Sequence, residues 1–250
     1  MQSLHDWFQT PLGAYLLAHE CNWLDHTVSD IFGYHAVQLG LPAFDLLRES
    51  RISHRVTIAP NERATVRAHF HELPLETQSV DLCVLPHVLE FCDSPHEILR
   101  ETDRIMIPEG RILILNFNPW SLFGLRRATF PNGYPWCGRF VSLVRMKDWL
   151  QLLGFEVSTG RLACYVPPCE SEKWIGRWKF MEPAGDRWWG VGGGVYMLEA
   201  IKRVQGMRII APPWADVKAR PCKFAVAAKR QGKGELADAA KTATPLRLVK

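Results

Sequence analysis

The chain has no apolar run near the roughly 20 residues that a membrane-crossing helix needs, so no transmembrane segment is expected. Its opening residues, MQSLHDWFQT, have neither a basic patch nor an apolar stretch of the kind a secretory leader carries, and a cytoplasmic protein is expected. The seven cysteines (Cys21, Cys83, Cys92, Cys137, Cys164, Cys169 and Cys222) are odd in number, scattered and free of any Cys-x-x-Cys pair. That argues against a disulfide framework and against a thiolate zinc site. His69 and His71 stand two apart with no second pair at a ligand spacing, so no metal site is expected. The full glycine fingerprint of a dinucleotide-binding turn is missing, which weighs against a nicotinamide dehydrogenase. Gly192-Gly193-Gly194 precedes a strand and reads as a flexible turn. An Asn-Pro-Pro-Tyr element of the base-flipping type is also missing, and Asn118-Pro119-Trp120 is only a partial echo of it. No internal repeat is visible.

What is present is enough for one sizeable core: 250 residues, 47% hydrophobic and 22% charged. The formal net charge of +4 hides an asymmetry. From Lys202 onward there are 12 Lys or Arg against 3 acids, whereas the preceding body carries 18 against 23. Residues 205–250 are therefore expected to be a basic, partly disordered tail, least structured from Gln231 on. Such a tail either keeps the chain soluble or touches RNA, ribosomes or a membrane surface.

Residues 1–204 read as one α/β domain. A helical segment over residues 1–30 carries Trp7, Phe8, Leu16, Leu17 and Leu24, with Pro11 and Gly13 as breakers. Strands are expected at His35–Leu39, Arg55–Ala59, Val66–Phe70, Val80–Leu85, Arg111–Phe117, Phe155–Ser158 and Val195–Ile201. The near-continuous apolar run at Val80–Leu85 suits a strand buried on both faces of a parallel sheet. Ser94-Pro95-His96-Glu97 reads as a helix start with a capping box, Pro108-Glu109-Gly110 as a turn, and Arg145–Leu153 as a helix closed by Gly154. Residues 164–194, rich in Trp, Pro and Gly without a clear period, read as a long insertion over one end of the sheet.

An open parallel sheet binds its ligand beyond the carboxyl ends of its strands. That rule directs attention to Gly40, to His69 and Phe70, to Leu85 and His87, and to Asn116 and Asn118. His87 either lines a substrate pocket as a base or packs at a strand end. Glu90 is expected to cap or pair on the surface, and Asp81 to serve structure. Asn116 and Asn118 either hydrogen-bond a substrate or form a turn before Pro119. Arg126, beside Arg127, either meets an acidic substrate group or is solvated. Trp174, Trp178, Trp188 and Trp189 either wall a flat substrate or pack together as a lid.

The stretch ELPLETQSVDLCVLPHVLEFCDSPHEILRETDRIMIPEGRILILNFNP carries Leu73-Pro74, Ser79-Val80-Asp81, His87-Val88-Leu89-Glu90, Leu99-Arg100-Glu101-Thr102-Asp103-Arg104 and Pro108-Glu109-Gly110 in order and register. In this it resembles the class I methyltransferases of the type 11 family, and the run FNPWSLFGLRR over 117–127 is similar to a proteobacterial branch. The resemblance covers roughly residues 1–204 and is strongest over 66–127. It implies a Rossmann-like, mostly parallel seven-stranded sheet with flanking helices, S-adenosylmethionine as cofactor, and methyl transfer to an unidentified small-molecule substrate. It also implies a cofactor lining of Gln38, Gly40, Leu41, Ala59, His69, Phe70, Leu85 and His87. This chain departs from the family pattern at three places. Pro42 and Phe44 stand where two loop glycines are usual, Gln38 stands for the strand acid, and Ile58-Ala59-Pro60 supplies no acid for the ribose. Two other readings follow: a methyltransferase-like binding protein without catalysis, and an RNA-associated methyltransferase using the basic tail.

Overall fold

The computed structural model describes residues 3–178 and 180–204. The basic tail expected over 205–250 lies outside the described residues. Seven strands form one sheet: β1 (His35–Leu39), β2 (His54–Ala59), β3 (Val66–Arg67), β4 (Val80–Pro86), β5 (Met106–Phe117), β6 (Phe155–Ala163) and β7 (Val195–Lys202). Their order is β3-β2-β1-β4-β5-β7-β6. Strands β1 to β5 pair in parallel, and β7 runs antiparallel to both β5 and β6. Strand order reverses between β1 and β4, which sets a crevice at their carboxyl ends.

Alternation along the central strands divides the core in two, as a two-residue side-chain period requires. Leu82, Val84, Leu113 and Leu115 face one apolar cluster, with Trp7, Phe8, Leu16 and Leu24 from the N-terminal helices α1 (Leu4–Phe8) and α2 (Pro11–Ser29). Cys83, Leu85, Ile112 and Ile114 face the other, with Ile98 and Leu99 of α3 (Pro95–Ile105) and Met146 and Leu150 of a later helix, Leu143–Leu152. Pro11 starts α2 instead of breaking a helix: it is the first helical residue after Thr10, whose hydroxyl accepts from the Gly13 amide. Gly13 lets α1 and α2 meet, since a Cβ there would lie 2.2 Å from the Trp7 carbonyl oxygen.

Several local expectations are corrected. The strand expected through Phe70 ends at Arg67. Pro108–Gly110 lies inside β5, where the pairing with β4 slips between Val80 and Leu82 and absorbs the extra residues as a bulge. Ser94 makes no side-chain cap, so the capping box expected there is absent although Pro95 does open α3. A helix α4 (Leu122–Thr129), capped by Ser121, follows β5, and α5 (Leu143–Leu152) precedes β6. Strand β6 continues past Ser158 to Ala163. The stretch over 164–194 is not unbroken loop; it holds α6 (Glu172–Trp178) and α7 (Met181–Trp188). No helix among the described residues is long and apolar enough to cross a membrane.

Candidate active site

The turn after β1 is built by backbone conformation and one side chain. Gly40 (φ 84°) and Leu41 (φ 45°) are both left-handed, a region that costs a side chain with a Cβ. Buried Gln38 holds the turn. Its amide nitrogen donates to the carbonyls of Gly40 (3.0 Å), Leu41 (3.1 Å) and Phe44 (2.9 Å), and its amide oxygen accepts from the Leu46 amide. A carboxylate at this position would have no hydrogen to give those three carbonyls. Phe44 turns away onto His5 and Phe8, with ring centroids 5.4 and 5.7 Å away. A Cβ on Gly40 would come within 2.9 Å of Val88 Cγ2 and 3.7 Å of Phe70 Cζ, so the loops after β1, β3 and β4 converge there.

At the end of β4 the chain makes a second strained turn at His87 (φ 55°), whose amide donates to the Leu115 carbonyl. The imidazole is fully buried between two carboxylates: Nε2 lies 2.7 Å from Glu20 Oε1 and Nδ1 2.9 Å from Glu90 Oε2. The other Glu90 oxygen accepts from the Phe117 amide. Phe8 and Phe117 flank the ring at 5.8 and 4.4 Å. Burial alone would drive the His87 proton off, but the two carboxylates outweigh it and push its pKa up to about 10. Burial raises the Glu90 carboxyl despite its partners. Glu90 is thus a core residue, which corrects the surface role expected for it, and Glu20 is a member of the site that the sequence did not single out. The available signal was a carboxylate on the apolar face of α2, set among Leu16, Trp23 and Leu24.

Beyond β4 and β5 an open cavity of about 720 Å³ lies between the start of α3 and the start of α5. Leu89, Phe140, Val141 and Trp149 supply apolar walls, and Arg100, Arg127, Arg139 and Arg145 line it together with His96, Asp93 and Glu97. Arg127 is fixed by a bond to the Gly138 carbonyl and by stacking on Phe140 at 5.2 Å.

The remaining expected residues are more dispersed. Leu85 is buried in the sheet, and Ala59 ends β2 beside Pro60, with no carboxylate between them. His69 is exposed, stacked on His71, and Phe70 alone of that pair reaches Gly40. Asn118 is spent on structure, donating to the carbonyls of Val191 and Gly193 and accepting from the Trp120 amide. Asn116 donates to the Tyr196 hydroxyl, which donates in turn to the Val141 carbonyl on the cavity wall. The Asn116 amide oxygen is buried without a partner among the described residues. Arg126 lies over Phe130 and Trp136, and the cavity takes Arg127 instead. Trp174, Trp188 and Trp189 are exposed, and Trp178 stacks on Phe180, so the four do not close into one packed lid. Asp81 is structural as expected: one of its oxygens accepts the Tyr34 and His35 amides where β1 begins.

With this geometry in place, comparison with known proteins is direct. Residues 43–114 match the family model described as "Methyltransferase domain". Over that span the chain is similar to the methyltransferase family, and the match covers less than a third of its length. The family match begins just past the Gly40-Leu41-Pro42 turn, where this sequence departs from the usual glycines. Among curated proteins the chain is 37% identical over 131 residues to the Escherichia coli "Uncharacterized protein YafS", covering 51% of this chain and 55% of that one. It is 27% identical over 81 residues to a demethylmenaquinone methyltransferase of Chlamydia pneumoniae, covering 31% and 35%. The matches thus span about half, or less, of these relatives' length. A solved SAM-dependent methyltransferase of Thermotoga maritima superposes with a TM-score of 0.53 at 16% identity, over 76% of this chain and 97% of that one, which shows the shared fold. That Thermotoga maritima protein is described as dependent on S-adenosylmethionine. The residues present fit it on the methionine side, where left-handed Gly40 allows close backbone approach beside Val88 and Phe70. On the ribose side no carboxylate stands at the end of β2.

Proposed function

We propose that this chain is an S-adenosylmethionine-dependent methyltransferase acting on a small-molecule acceptor. The observation that carries the reading is the convergence of the Gly40 turn with Phe70 and Val88 at the reversal point of a β3-β2-β1-β4-β5-β7-β6 sheet, on the same carboxyl edge as an open cavity. When bound, S-adenosylmethionine supplies an electrophilic methyl group. The chain's part is to align donor and acceptor and to exclude water, and alignment alone supplies much of such a rate. We assign the cofactor lining to the Gly40 and Leu41 backbone and to Phe70, Ala59 and Leu85, with His69 and Gln38 at its margin. His87 acts as a positioning residue. Both of its nitrogens are engaged and its side chain has no exposed surface, so accepting an acceptor's proton would require giving up Glu20 or Glu90. Asn116 and Asn118 hold the acceptor side in shape, and Arg126 braces α4.

Calorimetry with S-adenosylmethionine and S-adenosylhomocysteine tests the proposal, followed by transfer of a labelled methyl group to pooled small acceptors. Saturable heat from both and label in a product support it. Silence from both supports the second reading, a methyltransferase-like binding protein, which the lack of a donor amide at Pro42 and of an acid at Ala59–Pro60 favours.

A further inference from the structure

The cavity between α3 and α5 has a charge pattern that the methyl-transfer reading does not use. Four arginines line it against two acids, Asp93 and Glu97, leaving a surplus of two positive charges before His96 is counted. Arg100, Arg139 and Arg145 make no ion pair with any described residue. Two of the cavity guanidiniums lie over aromatic rings at cation–π distance, Arg127 over Phe140 at 5.2 Å and Arg145 over Trp149 at 5.7 Å. An aromatic neighbour restricts where a guanidinium sits without using up its N–H donors, although Arg127 already donates its Nε–H to the Gly138 carbonyl. The cavity is also walled by the opening turns of two helices, α3 at Ser94-Pro95-His96 and α5 at Ser142. Their first amides carry partial positive charge. In α3 Pro95 has no N–H and the Glu97 amide donates to the Ser94 carbonyl, so this end offers the His96 amide, for which the Ser94 side chain does not compete.

We propose that this cavity binds the phosphate or diphosphate group of a small molecule, with Arg100, Arg139 and Arg145 reaching the oxygens and Arg127 set behind them. Phosphate is favoured over a single carboxylate because two negative charges match the surplus of two. A volume of about 720 Å³ leaves room for an apolar body beside the anion, against Leu89, Phe140 and Trp149. That this ligand is the methyl acceptor rests on the function proposed above; the anion site itself does not.

The full-length protein is titrated calorimetrically with phenyl phosphate, inorganic pyrophosphate and benzoate, without S-adenosylmethionine. Phenyl phosphate and pyrophosphate are expected to bind saturably and to compete, with benzoate about tenfold weaker. Arg139→Ala with Arg145→Ala is expected to weaken both phosphates by about tenfold or more, with unchanged thermal unfolding, while Lys147→Ala on the outer side of α5 leaves binding intact. The assignment is overturned by no saturable heat at millimolar phosphate compounds, by equal affinity in the double variant, by benzoate binding as tightly as phenyl phosphate, or by a short RNA binding far more tightly at the same arginines. No cofactor takes part, so failure here leaves methyl transfer standing, and failure of S-adenosylmethionine to bind leaves the anion site standing.

Discussion

Two groups of charged side chains stand near the carboxyl edge of the sheet, and they differ in almost every respect. Glu20, His87 and Glu90 are buried, mutually bonded and wrapped by Phe8 and Phe117. Arg100, Arg139 and Arg145 are exposed, and none is ion-paired within the described residues. Charges taken out of water are tolerated only when their partners are in place, so the first group is committed to holding the fold. Charges kept in water without partners cost little and remain available. The contrast separates a residue needed to shape the site from residues free to meet a ligand.

The sharpest break of this comparison is to remove one member of the buried group. Glu20→Ala or His87→Ala is expected to cost about 3–5 kcal/mol, read as a fall in the urea midpoint. Glu20→Gln, which keeps a hydrogen-bonding group beside the imidazole, should cost less than Glu20→Ala. Equal and small losses in all three would show that the buried group is not structural. Next comes Gly40→Ala, which meets both a left-handed backbone and Val88 Cγ2 at 2.9 Å. About 1–3 kcal/mol of stability should be lost, and the calorimetric signal of S-adenosylmethionine should weaken with it. A graded effect follows from pH. The His87 value rises on folding from its ordinary 6.5 to about 10, so the retained proton contributes its full stability below about 6.5. That contribution is lost as pH climbs through about 10. The melting temperature should fall over this window, and the fall should flatten in His87→Gln. The smallest effect is expected in the other group: Arg100→Ala should shift stability by no more than about 0.5 kcal/mol in the same urea titration.

Much of the architecture was legible in the sequence because it is written in local pattern. The apolar run from Val80 to Leu85 and the Ile-Leu alternation over 111–117 lie in buried central strands, β4 and β5. Pro95 and Gly154 mark helix boundaries where expected. What was not legible depends on partners far along the chain. Glu90 reads as a surface acid until Glu20, 70 positions away, and the Phe117 amide are brought beside its neighbourhood by the fold. Gln38 reads as a lost acid, yet its amide does what a carboxylate there could not, donating to three carbonyls of the turn. The arginine cavity draws on α3, α4, the segment between α4 and α5, and α5 itself, and no single stretch of sequence announces it; of the adjacent Arg126 and Arg127, only the rotation of α4 decides which one lines it.

The placement of Glu20 bears on how far this domain can be trimmed. It sits on α2, ahead of the first strand and outside the span 43–114 that matches the family. A fragment cut to that span would keep an imidazolium at the end of β4 but leave one of its two counter-charges behind, along with the Phe8 ring that shelters it. The leading helices therefore belong to the body of the sheet domain, as the piece that closes its interior electrically as well as sterically.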